Sequence, residues 1–447
     1  MASATEQLAS QFNWGSFSKA KDLKSRLWFT LFALIVYRLG THIPLPGIDA
    51  AALAKLFAQK QTGILGMFDF FAGGAIQRMA IFALSITPYI TASITLQMIT
   101  FSSPALTQLK KEGERGYRKI NQYTRYLTVI ISIIQGYFVA VGLERLGGGG
   151  AVINPGIFFR ATTTITLVGG TVFLMWLGEQ ITARGIGNGT SLIIYAAIVV
   201  RLPTAIAQLL SLGQQGAIST FFIILIMIAA VALVGFIVFM ERAQRRILVQ
   251  YPKRQVGQKI YGGDSTHLPL KVNSTGVIAA ICASALILFP ITIMNFLGTN
   301  NSGGPSADFA RYFQHGQPLY LITYGALIIT FSFVLLFMVV NPVDTAENLR
   351  KAGGFLPGMK PGKNTADYIK YVLNRITVLG AVYVTFICLL PDFLISRSSI
   401  PFYFGGTGLL IAVTVPMDTI SQIHSHMVAH QYEGLMRKRR VKGARRK

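Results

Sequence analysis

The sequence predicts an all-α polytopic membrane protein, and three observations support that class. Apolar residues make up 52% of the 447 residues, yet the formal net charge at pH 7 is +24. The apolar residues are gathered into long runs, and most lysines and arginines lie in the loops between these runs. A soluble basic protein would spread the charge over its whole surface, whereas membrane-spanning helices require that it be kept in the loops.

Ten stretches are candidates for membrane-spanning helices, because a helix crosses the hydrocarbon core in about 20 residues. Six are clearly apolar and extend a few residues into their flanks: 27–40, 126–141, 162–177, 221–240, 321–340 and 376–390. Four are weaker because polar residues interrupt them: 78–98, 191–208, 276–296 and 402–423. These runs do not alternate apolar and polar residues in the way that the strands of a membrane barrel do.

The distribution of positive charge predicts the orientation. With an even number of spans, the two termini and every second loop lie on the same side of the membrane. Of the 41 lysines and arginines, 32 lie in the N-terminal segment, the C-terminal tail and these loops. By the positive-inside rule, both termini and these loops are cytoplasmic. The N-terminus lacks the basic start, apolar core and cleavage site of a signal peptide, so we expect the first span to remain as a structural helix.

The sequence shows no pattern typical of catalysis, metal binding or nucleotide binding. Cys282 and Cys388 lie within apolar spans and are expected to be small buried hydrophobic residues. His426 and His430 could share a helical face near the end of the last span, but His424 points away, so a metal site is disfavoured. The string GMKPGK at 358–363 lacks the spacing of a phosphate-binding loop. We expect no enzymatic activity and no cofactor.

The span that contains residues 85–95 carries an aliphatic ridge. Ile86, Ile90 and Ile94 recur every four residues, and the residue after each is a threonine. One interpretation is an ordinary packed helix whose hydroxyls bond to the preceding turn. The other is a narrow aliphatic constriction without a fixed charge, which would pass chemically varied cargo.

Two further features of the sequence each allow two interpretations. The apolar stretch 64–74 is too short to cross the membrane, and either a plugging segment or an interfacial helix fits its composition. The basic loops 242–271 and 341–370 either hold the topology against anionic lipid or dock an acidic partner such as ribosomal RNA. The second role would use phosphate contacts without sequence-specific recognition of nucleic acid.

Seven strings, in order along the chain, resemble bacterial SecY, the central subunit of the Sec protein-conducting channel in the bacterial inner membrane. They are FAGG at 71–74, IFALSITPYI at 81–90, WLGEQIT at 176–182, GIGNG at 185–189, ERAQRR at 241–246, STHLPLKVN at 265–273 and PFYFGGT at 401–407. The resemblance covers nearly the whole chain, and it implies passage of unfolded secretory proteins and lateral release of apolar segments into lipid.

The resemblance also implies an architecture of ten transmembrane helices in two inverted five-helix halves around a central pore. The halves would be residues 26–200 and 220–423, joined by a hinge loop at 201–219. They would be flanked by a cytoplasmic N-terminal segment, 1–25, and a basic cytoplasmic tail, 424–447. The second and seventh spans would form a lateral gate.

The site residues that the resemblance implies fall into three groups. The pore ring at the waist would be Ile86, Ile90, Ile194, Ile281 and Ile411, with Thr190 where some relatives have another aliphatic residue. The plug would be residues 64–78, including Ile64, Met67, Phe68, Phe71, Gly73 and Gly74. Basic loops at 242–272 and 341–370 would contact the motor or ribosome through Arg254, Lys259, Lys360 and Lys363.

The partners implied are SecE and SecG in the membrane, the SecA motor, the ribosome, membrane lipid, and secretory and membrane-protein substrates. A secondary transporter, which also has inverted halves, is the alternative and would require a functional ionisable residue inside the membrane. An intramembrane enzyme would require a nucleophile with a base, or metal ligands, at mid-depth. The sequence favours neither.

Overall fold

The computed structural model describes nine stretches of the chain: 21–49, 72–146, 152–216, 219–251, 254–256, 259–261, 265–296, 317–398 and 405–444. Most of these residues are helical. The helices are α1 (Lys21–Gly40), α2 (Thr87–Ser102), α3 (Pro104–Lys111), α4 (Glu114–Leu146), α5 (Ile157–Arg184), α6 (Gly189–Gln214), α7 (Thr220–Arg242), α8 (Ile278–Phe296), α9 (Pro318–Val339), α10 (Pro342–Lys351), α11 (Lys363–Ser398) and α12 (Gly406–Ala444).

Four short strands lie between α7 and α8, in a segment that the sequence predicts only as a basic loop. They are β1 (Gln244–Gln250), β2 (Arg254–Val256), β3 (Lys259–Tyr261) and β4 (Ser265–Lys271). β1 pairs with β4 and β2 pairs with β3, both antiparallel. The loop is therefore a β-hairpin, in which alternate residues of β1, Ile247 and Val249, are buried.

Six of the described helices are long and apolar enough to cross a membrane: α4, α5, α6, α7, α9 and α11. The other four predicted spans coincide with α1, α2, α8 and α12. Of these, α2 has only 16 residues, and the apolar part described in α8 runs over Ile278–Ile287. The multi-pass helical class is thus confirmed, with six helices that meet the length and composition of a span.

The predicted span 78–98 is helical only from Thr87, and this is a correction. The preceding residues form turns, in which Met79 and Ser85 have positive φ angles of 39° and 53°, values that a right-handed helix cannot contain. Residue 80 instead bridges to Pro44, and the Leu45 N–H donates to the Met79 carbonyl at 2.8 Å. Pro88 then occupies the first turn of α2, where its missing N–H costs nothing.

Two predicted boundaries in the second part of the chain also differ. The segment 201–219, expected to be a hinge loop, remains helical through Gln214, although Pro203 lies within α6. The helix continues through this segment because most of the segment's residues favour helix and Leu209 is buried. The tail from residue 424 continues α12 as far as Ala444, since its sequence, rich in Arg, Lys and Met, also favours helix.

The helices form one bundle around a large shared core. Along the chain, α4 packs against α2 and α5, and α5 packs against α6. In the same way, α9 packs against α8 and α11, and α11 packs against α12. Contacts of α8 with α2 and α4, and of α6 with α7 and α12, join these two groups of helices. The core contains residues from both groups, and this is where the candidate site lies.

Candidate functional site: an aliphatic waist and a basic platform

The five isoleucines of the predicted ring belong to one hydrophobic cluster. Ile86, Ile194 and Ile411 are buried members of it, and Ile90 and Ile281 are partly buried residues packed against it. They come from four elements: the start of α2, α6, α8 and α12. The structure therefore places in one hydrophobic core five residues that are separated by as many as 325 positions in the sequence.

Ile86 is held at the start of α2 by packing against α5. Its Cδ1 atom lies 3.6 Å from the position that a Cβ would occupy on Gly178. The segment before it is fixed by ring stacking, with centroids 6.2 Å apart for Tyr37 and Phe82 and 5.8 Å for Phe82 and Phe173. These contacts connect α1, the turn region and α5. Ile86 is only 1% exposed as a result.

Ile194 and Thr190 are placed by the start of α6. The side-chain carbonyl of Asn188 accepts hydrogen bonds from the backbone N–H groups of Thr190 and Ser191, at 3.1 and 3.4 Å, and so caps the helix. Thr190 is partly buried in the first turn, one turn before Ile194. Thr190, the residue expected at the sixth position of the predicted ring, therefore lies next to the cap.

The turn between α5 and α6 is bound to helices at both ends of the chain. The Ile186 N–H donates to Thr30 Oγ1 of α1 at 3.1 Å, and the Gly187 N–H donates to Gln422 Oε1 of α12 at 3.0 Å. A Cβ on Gly189 would collide with the Gly178 carbonyl oxygen, so only glycine permits this approach of α6 to α5. The GIGNG string thus fixes the packing of four helices.

Ile281 and Ile411 complete the cluster from α8 and α12. The two cysteines, Cys282 and Cys388, are buried members of the same cluster and are not joined by a disulfide. Their interpretation as small hydrophobic residues is confirmed. The five isoleucines are aliphatic and carry no formal charge, so a constriction built from them would narrow a passage without selecting cargo by charge.

One threonine beside the aliphatic ridge forms the side-chain hydrogen bond that is expected in an ordinary packed helix. Thr91 Oγ1 donates to the Thr87 carbonyl at 3.1 Å, which satisfies that hydroxyl within α2. Ile90 and Ile94 both pack against the shared cluster. The two interpretations of this span are therefore compatible, since the hydroxyls bond to their own helix while the isoleucines face the cluster.

The predicted plug lies only partly within the described residues. Ile64, Met67, Phe68 and Phe71 fall outside them. Gly73 and Gly74 are described, and both are buried in a turn with φ angles of +64° and +88°. The Gly73 carbonyl accepts a hydrogen bond of 3.0 Å from Arg38 Nη1. This end of the segment is therefore packed into the protein.

The two predicted basic loops meet in the structure. The Gln250 N–H donates to the Phe355 carbonyl and the Phe355 N–H to the Gln250 carbonyl, each at 2.9 Å. Beneath this bridge lies a separate hydrophobic cluster, to which the hairpin, α10, the turn after it and α11 contribute Ile247, Leu270, Ala346, Leu356 and Ile369. We call the hairpin 244–271 and the segment 342–363 together the basic platform.

The predicted contact residues lie at two places on the basic platform. Lys360 and Lys363 are exposed, at the turn before α11 and at its first residue. Gly358 and Gly362 flank Lys360 with φ angles of +79° and +117°, and Thr365 Oγ1 donates to the Lys360 carbonyl at 3.2 Å. Arg254 lies on β2 and pairs with Tyr261, and Lys259 lies on β3 and pairs with Val256.

Several polar contacts were missed by the sequence analysis. Arg125 of α4 makes a two-pronged ion pair with Glu179 of α5, at 2.9 and 2.6 Å. Glu144 accepts from Arg160 at 2.8 Å and from the Gly156 N–H at 3.0 Å. These carboxylates lie at helix ends and pair with arginines, as structural groups do. The described residues hold no cluster of three potential metal ligands, and His430 has its side chain outside them.

The fold defines a multi-pass helical membrane protein in which helices from both parts of the chain contribute to one large hydrophobic core, and this core includes the five isoleucines. Comparison with known proteins gives its family. The SecY family model matches residues 80–420. The protein translocase subunit SecY of Rickettsia conorii is 51% identical over 431 residues, covering 96% of this chain and 99% of the relative. That of Escherichia coli K12 is 51% identical over 423 residues, covering 94% and 96%.

The chain belongs to the SecY family. Solved structures agree on the fold: a protein-conducting channel superposes with a TM-score of 0.64 at 17% identity, over 91% of this chain and 93% of that one. Sec61 from a canine ribosome–channel complex superposes with a TM-score of 0.60 at 17% identity, over the same shares. The chain therefore functions as a protein-conducting channel subunit of a translocase and is not an enzyme.

Proposed function

We propose that this chain is the pore-forming subunit through which unfolded secretory proteins cross the bacterial inner membrane. The observation that carries the proposal is the convergence of Ile86, Ile90, Ile194, Ile281 and Ile411 on one cluster. Aliphatic side chains that meet in this way exclude water when they close on each other, and they can close on any polypeptide that passes between them. The ring needs no recognition of cargo sequence.

The pattern of helix packing supports an arrangement of ten spans in two halves. If α1, α2, α4, α5 and α6 are spans one to five, then spans two and three, three and four, and four and five are in contact. With α7, α8, α9, α11 and α12 as spans six to ten, the same three contacts recur in the second half. An internal repeat of this kind places a pathway at the interface between the halves.

The lateral exit would open between α2 and α8, the second and seventh spans. These helices pack against each other, which is the contact that a closed exit would require. An apolar segment of a passing chain would leave by their separation and enter lipid according to its transfer free energy. A central charge opposes that transfer by about 2.5–3.5 kcal/mol, which keeps charged segments in the aqueous path.

We propose the basic platform as the docking site for a motor or ribosome. The platform and both termini would lie on the cytoplasmic side of the membrane. Its exposed Lys360 and Lys363 supply positive charge on a turn. Two neighbours of the same fold come from ribosome-bound channels, canine Sec61 and yeast Ssh1. We extend to this chain the partners implied by its family: SecE and SecG within the membrane, and SecA or the ribosome at the platform.

The proposal is tested by crosslinking to an arrested secretory chain. A photoreactive amino acid is placed at Ile90 or Ile281, whose side chains are partly buried at the cluster, and a stalled precursor is loaded into the channel. We expect adducts at both positions. The matched control is Ile228, which is 62% exposed on the outer side of α7 and should give adducts with lipid only. Equal adducts at Ile228, or none at the waist, would contradict the proposed path.

A further inference from the structure

The turn at residues 72–75 is bonded to Arg38 of α1 on one side and packs on Ala197 and Arg201 of α6 on the other. We propose that Arg38 of α1 and Arg201 of α6 latch this turn against α6 and thereby keep the channel closed at rest. The proposal assigns a positioning role to both arginines. It rests on the proposed function, because the turn leads into the segment that delivers Ile86 to the waist.

Arg38 holds the turn by a hydrogen bond to its backbone. Its Nη1 donates to the Gly73 carbonyl at 3.0 Å and to Thr41 Oγ1 at 3.2 Å. Thr41 is completely buried, and its hydroxyl donates to the Arg38 carbonyl at 2.7 Å. The guanidinium is therefore oriented by its own helix end before it reaches the turn. Bonds from a charged donor are stronger than those between neutral groups.

The second side of the turn rests on α6. A Cβ on Gly73 would lie 3.0 Å from the Cα of Ala197, so the backbone of the turn is in direct contact with the helix. A Cβ on Gly74 would lie 3.2 Å from Nη2 of Arg201, which is one helical turn further along α6. Both glycines have positive φ angles, which other residues adopt only at a cost in free energy. The sequence at 73–74 thus permits the close fit.

These contacts exist only while the turn lies between α1 and α6. A turn displaced from this place would lose the Arg38 bond and the packing on Ala197 together. The contacts therefore stabilise the closed arrangement relative to any open one, and an interaction made in one state alone shifts the equilibrium between the two. Loss of a charge-assisted hydrogen bond should raise the displaced population roughly tenfold to a hundredfold.

The experiment measures displacement of the turn and closure of the channel separately. Ala75 is completely buried, so the thiol introduced by Ala75→Cys should react slowly with a membrane-impermeant maleimide, and the native cysteines are buried too. Adding Arg38→Gln should raise the labelling rate at least tenfold and raise the resting ion conductance of reconstituted channels. Arg38→Lys keeps the positive charge, so it should raise the labelling rate and the conductance less than Arg38→Gln does. The matched control is Arg184→Gln, which removes an exposed arginine at the C-terminal end of α5. It should change neither the labelling rate nor the conductance.

Arg201→Gln is measured in parallel with the same expectation, so the proposal is decided even if loss of Arg38 prevents assembly. Unchanged labelling in both variants would overturn the latch. Increased labelling with unchanged conductance would overturn its role in closure. Serine substitutions at Ile90 and Ile281 test the proposed function independently. If these leave the conductance unchanged, the waist is contradicted, while the labelling still reports whether the arginines hold the turn.

Discussion

Gln250 and Phe355 exchange a pair of backbone hydrogen bonds, each 2.9 Å long, although 105 positions separate them in the sequence. One belongs to the hairpin between α7 and α8, and the other to the turn between α10 and α11. The two basic loops of the chain are therefore one structural unit with its own hydrophobic cluster. A partner that binds this unit would contact a preformed surface.

Breaking that bridge should loosen the basic platform without unfolding the bundle. Phe355→Pro removes the N–H that donates to Gln250, and the loss of such a bond costs about 1–3 kcal/mol when its partner is left unsatisfied. We expect trypsin cleavage within the platform to become roughly tenfold faster, because proteolysis follows the open population. Phe355→Ala keeps the N–H and is the control. Equal cleavage of the two variants would show that the side chain, and not the bridge, holds the loops together.

Substitutions at the waist should open a path for ions. Replacing Ile90, Ile281 and Ile411 together by serine would wet the constriction, since an apolar gate closes by expelling water. The resting conductance in planar bilayers should rise severalfold in the absence of any substrate. Serine at Ile224 and Ile228, which are exposed on α7, should leave it unchanged. A folded triple variant with the conductance of the parent would remove these residues from the ring.

If residues 64–78 form the plug that the resemblance to SecY implies, they should lie close to the waist only in the idle channel. Cysteines introduced at Met67 and at Ile281 are expected to form a disulfide under mild oxidation, in a background that lacks Cys282 and Cys388. A stalled precursor that fills the pore should reduce the yield. The measurement is the mobility shift of the oxidised protein after cleavage between the two positions. If the disulfide yield is the same with and without the stalled precursor, residues 64–78 are a fixed interfacial segment.

Lys360 should contribute to partner binding and little to stability. The planar guanidinium of arginine makes more directional contacts than the flexible ammonium of lysine, so arginine is the matched substitution at this position. Lys360→Glu should weaken binding of the motor or ribosome and slow translocation into inverted vesicles, whereas Lys360→Arg should preserve or improve both. The melting temperature should stay nearly constant, because exposed charges contribute less than about 1 kcal/mol.

The matched control for this surface is Lys370→Glu, an exposed charge two helical turns beyond Lys363 on α11. Binding is titrated at two salt concentrations, since a charge contact is screened by salt. If the Lys360→Glu protein translocates normally and its affinity has the same salt dependence as the parent, the turn only helps to set the topology.

The sequence predicted what depends on composition and missed what depends on local backbone conformation. Long apolar runs identify spans directly, and the recurrence of Ile86 and Ile90 predicted a ridge whose residues lie at the shared hydrophobic cluster. The start of α2 was placed too early, although Pro88 is a readable sign of a first helical turn. The positive φ angles of Met79 and Ser85 have no such sign, since neither residue favours that conformation.

The hairpin was missed for a different reason. Its alternating Ile247 and Val249 are only two residues within a strongly charged segment. Ile247 is buried in a cluster with Leu356 and Ile369, which lie far along the chain. Period-two alternation around β-branched residues was the available signal, but it was too short to outweigh the charge. The union of the two basic loops could not be predicted, because it depends on contacts distant in sequence.

The turn between α5 and α6 has a consequence for the way this protein can deform. A Cβ on Gly189 would collide with the Gly178 carbonyl oxygen, so the backbones of α5 and α6 are in contact there. Toward α12, the same turn is held by the hydrogen bond from Gly187 to Gln422 and by Ile186, which packs in a small hydrophobic cluster with Met427. Leu23 of α1 belongs to the same cluster. A rotation of α12 past this turn would therefore break a bond that contributes about 1 kcal/mol and would also expose apolar side chains of both terminal helices.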